Sequence, residues 1–151
     1  MATLETEVAP ASSGTQDEER NRKAALSWFA AMNRGDLDVV DDLFAANYVL
    51  HVANGPEGVF GPAVIRGVIE AYRTAFPDLR FTVQETVAEG ATVVVRWTAE
   101  GTNLGEMMGA PATGRRARWT GCSWLRFGGG RIVEDWVESD FVGMQRQLAG
   151  G

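Results

Sequence analysis

Few side chains in this sequence could carry out acid–base chemistry. His51 is the only histidine, and it lies near a loop at the end of a predicted strand. Its ordinary pKa of about 6.5 suits proton transfer at neutral pH, and the alternative is a hydrogen-bonded structural role. Asp135 lies within a later predicted strand. A carboxyl group enclosed among apolar residues loses hydration, which raises its pKa and makes it a proton donor or acceptor. The alternatives for Asp135 are a structural pairing with an arginine and a position on the opposite face of its strand.

Motifs for several other kinds of catalysis are missing. The sequence has no Gly-x-Ser-x-Gly, no glycine-rich phosphate loop, no His-Glu-x-x-His and no dinucleotide-binding fingerprint. The single cysteine, Cys122, excludes an internal disulfide and a multi-cysteine metal site. A single histidine also disfavours a protein-bound zinc or non-haem iron centre. We therefore expect no metal and no bound cofactor, and we interpret Cys122 as an inert buried thiol.

Length and composition fit one globular domain without nucleic-acid or membrane partners. The chain has 151 residues, of which 45% are hydrophobic and 23% charged. Its net charge of −6 argues against nucleic acid and anionic membranes, so Arg115, Arg116 and Arg118 are interpreted as solvated or salt-bridged. No apolar run approaches the roughly 20 residues that span a bilayer, and residues 1–16 do not resemble a secretory signal. These features predict a cytoplasmic protein.

The first half of the chain has the pattern of helices. Residues 1–19 are rich in Ala, Ser, Thr, Glu and Pro, which predicts a mobile tail, and residues 20–151 form the predicted domain. Apolar residues at three- and four-residue spacing then predict three helices. The first ends at Gly35, the second is capped by Asp36, and the third runs from Pro62 to Pro77.

The second half changes to a period of two, which is typical of strands. Turns at residues 89–90 and 128–130 and a Gly/Met/Pro-rich loop at 105–114 separate the strands, and a short helix over 141–148 follows. Helices followed by hairpin-connected strands predict an α+β fold, with three N-terminal helices packed on a strongly curved, mostly antiparallel sheet. The other sheet face would carry Trp124, and an exposed aromatic residue there favours a homodimer.

Several short motifs, in their order and spacing, resemble the SnoaL-like polyketide cyclases, which have the NTF2-like cone fold. The resemblance covers residues 20–149. The motifs are Asn-Arg-Gly-Asp at 33–36, Phe-Pro-Asp-Leu at 76–79, Gly-Thr at 101–102 with Gly105, the Gly-Ala-Pro-Ala-Thr-Gly-Arg run at 109–115, Gly-Arg-Ile-Val-Glu at 130–134 with Trp136, Asp-Phe-Val-Gly at 140–143 and Gln-Leu at 147–148. The resemblance implies a cone that encloses a hydrophobic cavity.

The resemblance also implies a function. The expected protein is a cofactor-independent enzyme of aromatic polyketide biosynthesis, with a hydrophobic small molecule as substrate and ring closure by aldol chemistry as the family's default reaction. Related members resemble cofactor-free hydroxylases that work with a separate reductase. A non-catalytic small-molecule-binding module is the third interpretation, because this fold serves many functions.

Carrying the family's catalytic residues onto this sequence gives an unexpected result. Aligned on the Asp-Phe-x-Gly motif, the family's aspartate falls on Val137 and its histidine on Ser123, and neither can abstract a carbon-bound proton. Because position 137 faces the cavity in the family, strand alternation places Asp135 and Val133 on the same inner face. We therefore predict Asp135, together with His51, as the catalytic residues.

The remaining candidates are residues expected to line the cavity. Asn103 and Ser123 could bind a substrate carbonyl or enolate, the alternative being an ordinary polar wall. Met107 and Met108 lie on a Gly-rich loop that could act as a lid. Aromatic side chains could stack on a flat ligand, although core packing is the alternative for most of them. The predicted substrate-binding residues are Trp28, Tyr48, Trp97, Asn103, Met107, Met108, Trp119, Ser123 and Val137.

Overall fold

The structure is a computed structural model, and it describes residues 12–53 and 59–150. Within these ranges it has four helices and six strands. In chain order they are α1 (Ser12–Arg34), α2 (Val40–Leu43), β1 (Phe44–Val52), β2 (Val59–Phe60), α3 (Pro62–Ala75), β3 (Arg80–Glu89), β4 (Thr92–Thr102), β5 (Arg116–Gly128), β6 (Arg131–Ser139) and α4 (Phe141–Ala149). Among the described residues, none of the helices combines the length and the apolar composition of a membrane-spanning segment.

The strands form one sheet in the order β2-β1-β6-β5-β4-β3. Every neighbouring pair is antiparallel except β1 and β6, which run parallel. The sheet is curved and open. Helix α1 packs on β3 and β4, and α3 packs on β1. The predicted α+β class and the mostly antiparallel sheet are therefore confirmed. The two-residue strand β2 was not predicted, because two residues are too few to show a period.

Helix α1 is fixed to the sheet by aromatic contacts. Trp28 meets Phe44 of β1 edge-on, with ring centroids 4.9 Å apart. Phe29 meets Phe81 of β3 in the same way at 5.7 Å. Such pairs typically contribute about 0.5–1.5 kcal/mol each beyond the area that they bury. The two contacts hold the helix across the concave face of the sheet.

Helix α3 closes another side of the concave face, and its ends are as predicted. Pro62 occupies the first turn, where its missing N–H is not needed. The stripe formed by Ile65, Ile69 and Tyr72 faces the interior. Pro77 restricts the backbone of the residue before it, and the helix ends just upstream.

Two N-terminal predictions differ from the structure. Helix α1 includes residues 12–19, which the sequence pattern assigned to the tail, and the rest of that tail, residues 1–11, lies outside the described residues. Asp36 does not cap the second helix, which begins at Val40. Instead, its Oδ1 accepts a hydrogen bond from the Asp38 backbone N–H at 3.2 Å. This local turn is a common alternative use of a short polar side chain.

A β-bulge changes the phase of strand β6. Arg126 pairs with Glu134 but Phe127 pairs with Ile132, which leaves Val133 as an extra residue. The prediction that Val133 lies on the inner face is therefore wrong, and Ile132 is the residue that joins the buried core.

The structure predicts unequal effects of adding a methyl group at two glycines. A Cβ at Gly121 in β5 would overlap the indole ring of Trp97. We expect Gly121→Ala to lower the free energy of unfolding by about 1–3 kcal/mol, because the core has no room for the added atom. Urea unfolding measures this change. The matched control is Gly67→Ala in α3, where nothing lies within 4 Å of the added atom.

The control should behave in the opposite way. Alanine is a better helix former than glycine by about 0.8–1.0 kcal/mol, so Gly67→Ala is expected to stabilise the protein. An unchanged stability of Gly121→Ala would contradict the packing described for Trp97.

Candidate active site

The concave face of the sheet and helices α1 and α3 enclose a cavity of about 90 Å³. Its walls are mostly apolar, with side chains such as Leu50, Ile69 and Leu125. Asp135 has the one carboxyl group among its lining residues in the described part of the chain. An apolar cavity with a few polar groups is the usual form of a small-molecule site.

Asp135 lies on β6 between two leucines of the neighbouring strands. It pairs with Leu50 of parallel strand β1 on one side and with Leu125 of antiparallel strand β5 on the other. Its side chain is buried, with 2% of the residue exposed. Desolvation by this burial raises the pKa of Asp135 to about 7. The carboxyl group is therefore able both to accept and to donate a proton near neutral pH.

The two oxygens of Asp135 have different surroundings. The Tyr48 hydroxyl donates a hydrogen bond to Oδ2 at 3.2 Å. Oδ1 is buried and has no hydrogen-bond partner among the described residues. Burial, and then the nearby Asp135, raise the pKa of Tyr48 far above its ordinary value, so the phenol stays protonated. Tyr48 was predicted to contact the substrate, but it is fully buried behind Asp135 and does not line the cavity.

His51 lies on the outer face of the sheet, away from the cavity. Its Nε2 is 2.7 Å from Oε2 of Glu134, and its ring stacks on Trp136 at a centroid distance of 5.0 Å. The predicted joint action of His51 and Asp135 within the cavity is not supported, because the two side chains are on opposite faces. Tyr48 and His51 are three residues apart, and a regular strand cannot direct both onto one face.

Ser123 and Val137 face the cavity as predicted, and they pair with each other across β5 and β6. The indole N–H of Trp97 donates to Ser123 Oγ at 3.0 Å. A hydroxyl that accepts this bond keeps its own proton for another partner. Because Leu125 pairs with Asp135, Ser123 is the diagonal neighbour of Asp135, at the usual residue spacing of about 7–8 Å for such a pair. The cavity thus has a proton acceptor and a hydroxyl donor on adjacent strands.

The three predicted tryptophans line the cavity. Trp28, Trp97 and Trp119 are all buried, with at most 5% of each residue exposed. Tyr72 of α3 was not predicted, but it also lines the cavity and stacks on Trp119 at a centroid distance of 6.4 Å. Ser139 at the end of β6 was missed as well. Their positions on the apolar stripe of α3 and in phase with Val137 are the signals that could have identified them.

Asn103, Met107 and Met108 do not line this cavity, which corrects their predicted role. They line a second pocket of about 410 Å³ between the β4–β5 loop and α4. The Asn103 amide nitrogen donates to the Ala75 carbonyl at 3.3 Å, and its oxygen accepts from the Thr113 backbone N–H at 2.8 Å. Asn103 therefore ties the loop to the end of α3, and its amide is occupied by the protein's own backbone.

Other groups selected from the sequence lie outside the cavity. In residues 12–53 and 59–150, no cluster of three or more His, Cys, Asp or Glu side chains could hold a metal ion. Cys122 is a free, half-buried thiol, and burial raises its pKa, which disfavours the reactive thiolate. Arg116 forms ion pairs with Glu100 at 3.2 Å and Asp78 at 3.6 Å, in line with the salt-bridged interpretation.

Comparison with known proteins links this geometry to one family. The model of the SnoaL-like polyketide cyclases matches residues 23–148. Among solved structures, IdmH from Streptomyces antibioticus, a proposed polyketide cyclase, is 34% identical with a TM-score of 0.76, covering 85% of this chain and 98% of its own. AclR from Streptomyces galilaeus, a proposed hydroxylase, is 29% identical with a TM-score of 0.79, and the match covers 89% of this chain and 83% of AclR. TsrD from Streptomyces laurentii is 27% identical with a TM-score of 0.79, and the match covers 88% of this chain and 97% of TsrD. No curated protein matches the sequence.

Proposed function

Because the chain belongs to the SnoaL-like polyketide cyclase family, we propose that it is an enzyme that transfers protons on an aromatic polyketide, with Asp135 as its acid–base group. The observation that carries the proposal is the buried Oδ1 of Asp135, which has no partner in the described residues and belongs to a wall of an apolar cavity. A pKa of about 7 suits a group that must both take up and release a proton. The proposed reaction needs no cofactor, since one carboxyl group performs both transfers.

Aldol ring closure is the reaction proposed first. Oδ1 of the Asp135 carboxylate removes a proton from the carbon next to a substrate carbonyl. The resulting enolate carbon attacks a ketone carbon of the same molecule, which forms the new C–C bond and leaves the negative charge on the ketone oxygen. The protonated Asp135 then returns the proton to that oxygen, and the carboxylate is restored.

Ser123 is proposed to stabilise the enolate. Trp97 occupies the acceptor side of its hydroxyl, so the hydroxyl proton is available to a negatively charged oxygen. Ser123 and Asp135 are diagonal neighbours on the cavity face of the sheet, so a carbonyl oxygen bound by Ser123 would have its neighbouring carbon on the side of Asp135. This arrangement favours a substrate whose acidic carbon is adjacent to the carbonyl.

The size of the cavity limits how much of a substrate it encloses. Its volume of about 90 Å³ is below the roughly 150 Å³ of an engineered cavity in another protein that binds benzene. Sites that enclose a drug-sized ligand hold about 300–1,000 Å³. We propose that the reacting edge of one ring enters, while the other rings extend past Val52, which lines the cavity and is 42% exposed.

Hydroxylation is the second candidate, and the similarity to AclR favours it. Aligned on the Asp-Phe-x-Gly motif, the positions of the family's catalytic aspartate and histidine fall on Val137 and Ser123, which also fits a reaction other than the default ring closure. In this proposal a separate reductase first supplies two electrons and two protons to the aromatic ring. The reduced ring reacts with dioxygen to form a hydroperoxide, and cleavage of its O–O bond leaves one oxygen atom on the ring and releases the other as water, with Asp135 transferring the protons.

Incubating the protein with aromatic polyketides that carry an enolisable side chain, and following product mass, tests these proposals. Aldol closure leaves the mass unchanged until water is lost, and a new chromatographic peak identifies it. Gain of one oxygen atom, dependent on a reductase and air, supports the hydroxylase. Saturable binding without conversion under either condition would contradict the enzyme and support a binding module.

A second copy of the chain is the partner that we propose for the outer sheet face. Trp124 is 49% exposed there and pairs with Trp136, over which the Arg126 guanidinium lies at 4.9 Å. The face also has charges of both signs, since a guanidinium nitrogen of Arg126 lies 3.4 Å from Oε1 of Glu134. An aromatic centre with charges of both signs is self-complementary, as a two-fold interface requires.

Trp124→Glu is expected to convert this dimer into monomers, because it places a charge where an apolar side chain would be buried. Size-exclusion chromatography with light scattering measures the change. Leu26→Glu is the matched control, since Leu26 is 39% exposed on α1 and not on this face. A wild-type protein that is monomeric at micromolar concentration would contradict the proposal.

A further inference from the structure

We infer that Tyr48 is a positioning residue that confines proton exchange by Asp135 to a single oxygen, Oδ1. The catalytic meaning of this inference rests on the proposed function. Its structural content concerns the carboxyl group alone and can be tested without a substrate.

The position of the Tyr48 hydroxyl is fixed by packing. Tyr48 is fully buried, and its ring meets Phe44 edge-on at a centroid distance of 4.7 Å. Phe44 in turn is held by Trp28 at 4.9 Å. The phenol therefore has little freedom to rotate away from Oδ2 of Asp135, to which it donates at 3.2 Å.

This contact makes the two carboxyl oxygens unequal in both protonation states. When Asp135 is neutral, Oδ2 accepts from Tyr48 and acts as the carbonyl oxygen, so the acid proton belongs on Oδ1. When Asp135 is ionised, Oδ2 is occupied by the same bond and Oδ1 has the free lone pairs. One oxygen thus takes the proton and returns it, as a shuttle between two atoms of one substrate requires.

Other groups around Asp135 do not compete with this bond. Tyr72 of α3 and Ser123 of β5 are polar groups of the cavity wall, and neither is hydrogen-bonded to the carboxyl group in the described part of the chain. The hydrogen-bonded pair of His51 and Glu134 lies on the outer face. Burial raises the pKa of Asp135, and Tyr48 is the side chain whose hydrogen bond opposes that rise.

Tyr48→Phe tests the inference, because it keeps the ring and removes only the hydroxyl. The measurement is the infrared carbonyl band of protonated Asp135 in the ligand-free protein, assigned by its loss in Asp135→Asn. We expect the band to move to higher frequency. The midpoint of its titration should rise by about 1–2 pH units, the size expected for losing one hydrogen bond to an ionised carboxylate.

Tyr72→Phe is the matched control, since it removes the phenol of a half-buried tyrosine that has no hydrogen bond to Asp135. It should leave the band and its midpoint in place. An unchanged band and midpoint in Tyr48→Phe would overturn the inference. With a converted substrate, Tyr48→Phe should lower kcat at neutral pH and shift the pH profile upward, with KM nearly unchanged.

If Tyr48→Phe does not fold, a second measurement on the protein with Tyr48 in place tests the same inference. The chain has two tyrosines, so fluorotyrosine labelling gives two fluorine resonances, which Tyr72→Phe assigns. The Tyr48 resonance should shift as Asp135 titrates, and a Tyr48 resonance that does not respond to pH would overturn the inference. Full activity of Asp135→Asn would instead contradict the proposed function and leave the spectroscopic result intact.

Discussion

Asp135→Asn is expected to lower kcat by about 10²–10⁴-fold, the usual contribution of a general acid or base. Asparagine keeps the shape of the side chain, and its amide oxygen can still accept from Tyr48, but it cannot exchange a proton. KM should change little, because the walls of the cavity remain. The measurement is steady-state turnover of a converted polyketide at neutral pH, with the product followed by mass spectrometry.

His51→Asn is the matched control for this experiment. His51 is on the outer face, where it contacts Glu134 and Trp136. Its replacement should leave turnover near the wild-type value. A strong loss of turnover in His51→Asn, together with nearly normal turnover in Asp135→Asn, would place the proton transfer on the outer face of the sheet and contradict the proposed site.

The second large effect is on stability, and it depends on pH. Burial raises the pKa of Asp135 from 3.8 to about 7 in the folded protein. Between these values the folded state keeps a proton that the unfolded state has lost, so stability falls as pH rises. Relative to Asp135→Asn, we expect the free energy of unfolding to fall by about 4 kcal/mol between roughly pH 4 and 7, and to level off above that range.

Urea unfolding of both proteins across this pH range measures the difference. Burial of the neutral amide in the variant has the same cost at every pH. It therefore adds a constant to the difference in free energy of unfolding and does not change how that difference depends on pH. Other carboxyl groups, such as Asp78, whose pKa is lowered mainly by a backbone hydrogen bond from Thr102, act equally in both proteins. If the free energies of unfolding of wild type and variant change in parallel with pH, Asp135 has an ordinary pKa in the folded protein, which would contradict this prediction.

Much of the fold was predictable because its elements have clear periods. The stripe of α3 between Pro62 and Pro77 and the alternation along β4 to β6 gave the correct elements. The same alternation gave the inward direction of Asp135 once the resemblance to the family had placed Val137 on the cavity side. Local periodicity determines which side of a regular element is buried, but it misplaced Val133, because the bulge between β5 and β6 changes the phase there.

The wrong predictions concern residues whose positions depend on contacts with other strands and loops. The phase of β1 becomes clear only when Leu50 is paired with Asp135, and this pairing puts His51 outside. Asn103 resembled a cavity residue by its position in the family, but its amide is bound within the β4–β5 loop by Thr113 and, across the fold, by Ala75. Single-sequence patterns carry no information on such contacts.

A pH titration of Asp135 in the ligand-free protein, compared with the pH dependence of kcat/KM, is the most direct test of a buried proton-exchanging carboxyl group. The midpoint should lie at about 7. With the carboxylate as the base, kcat/KM should rise with pH through the same midpoint. A titration at the ordinary aspartate value of about 3.9, with kcat/KM unchanged across neutral pH, would contradict it.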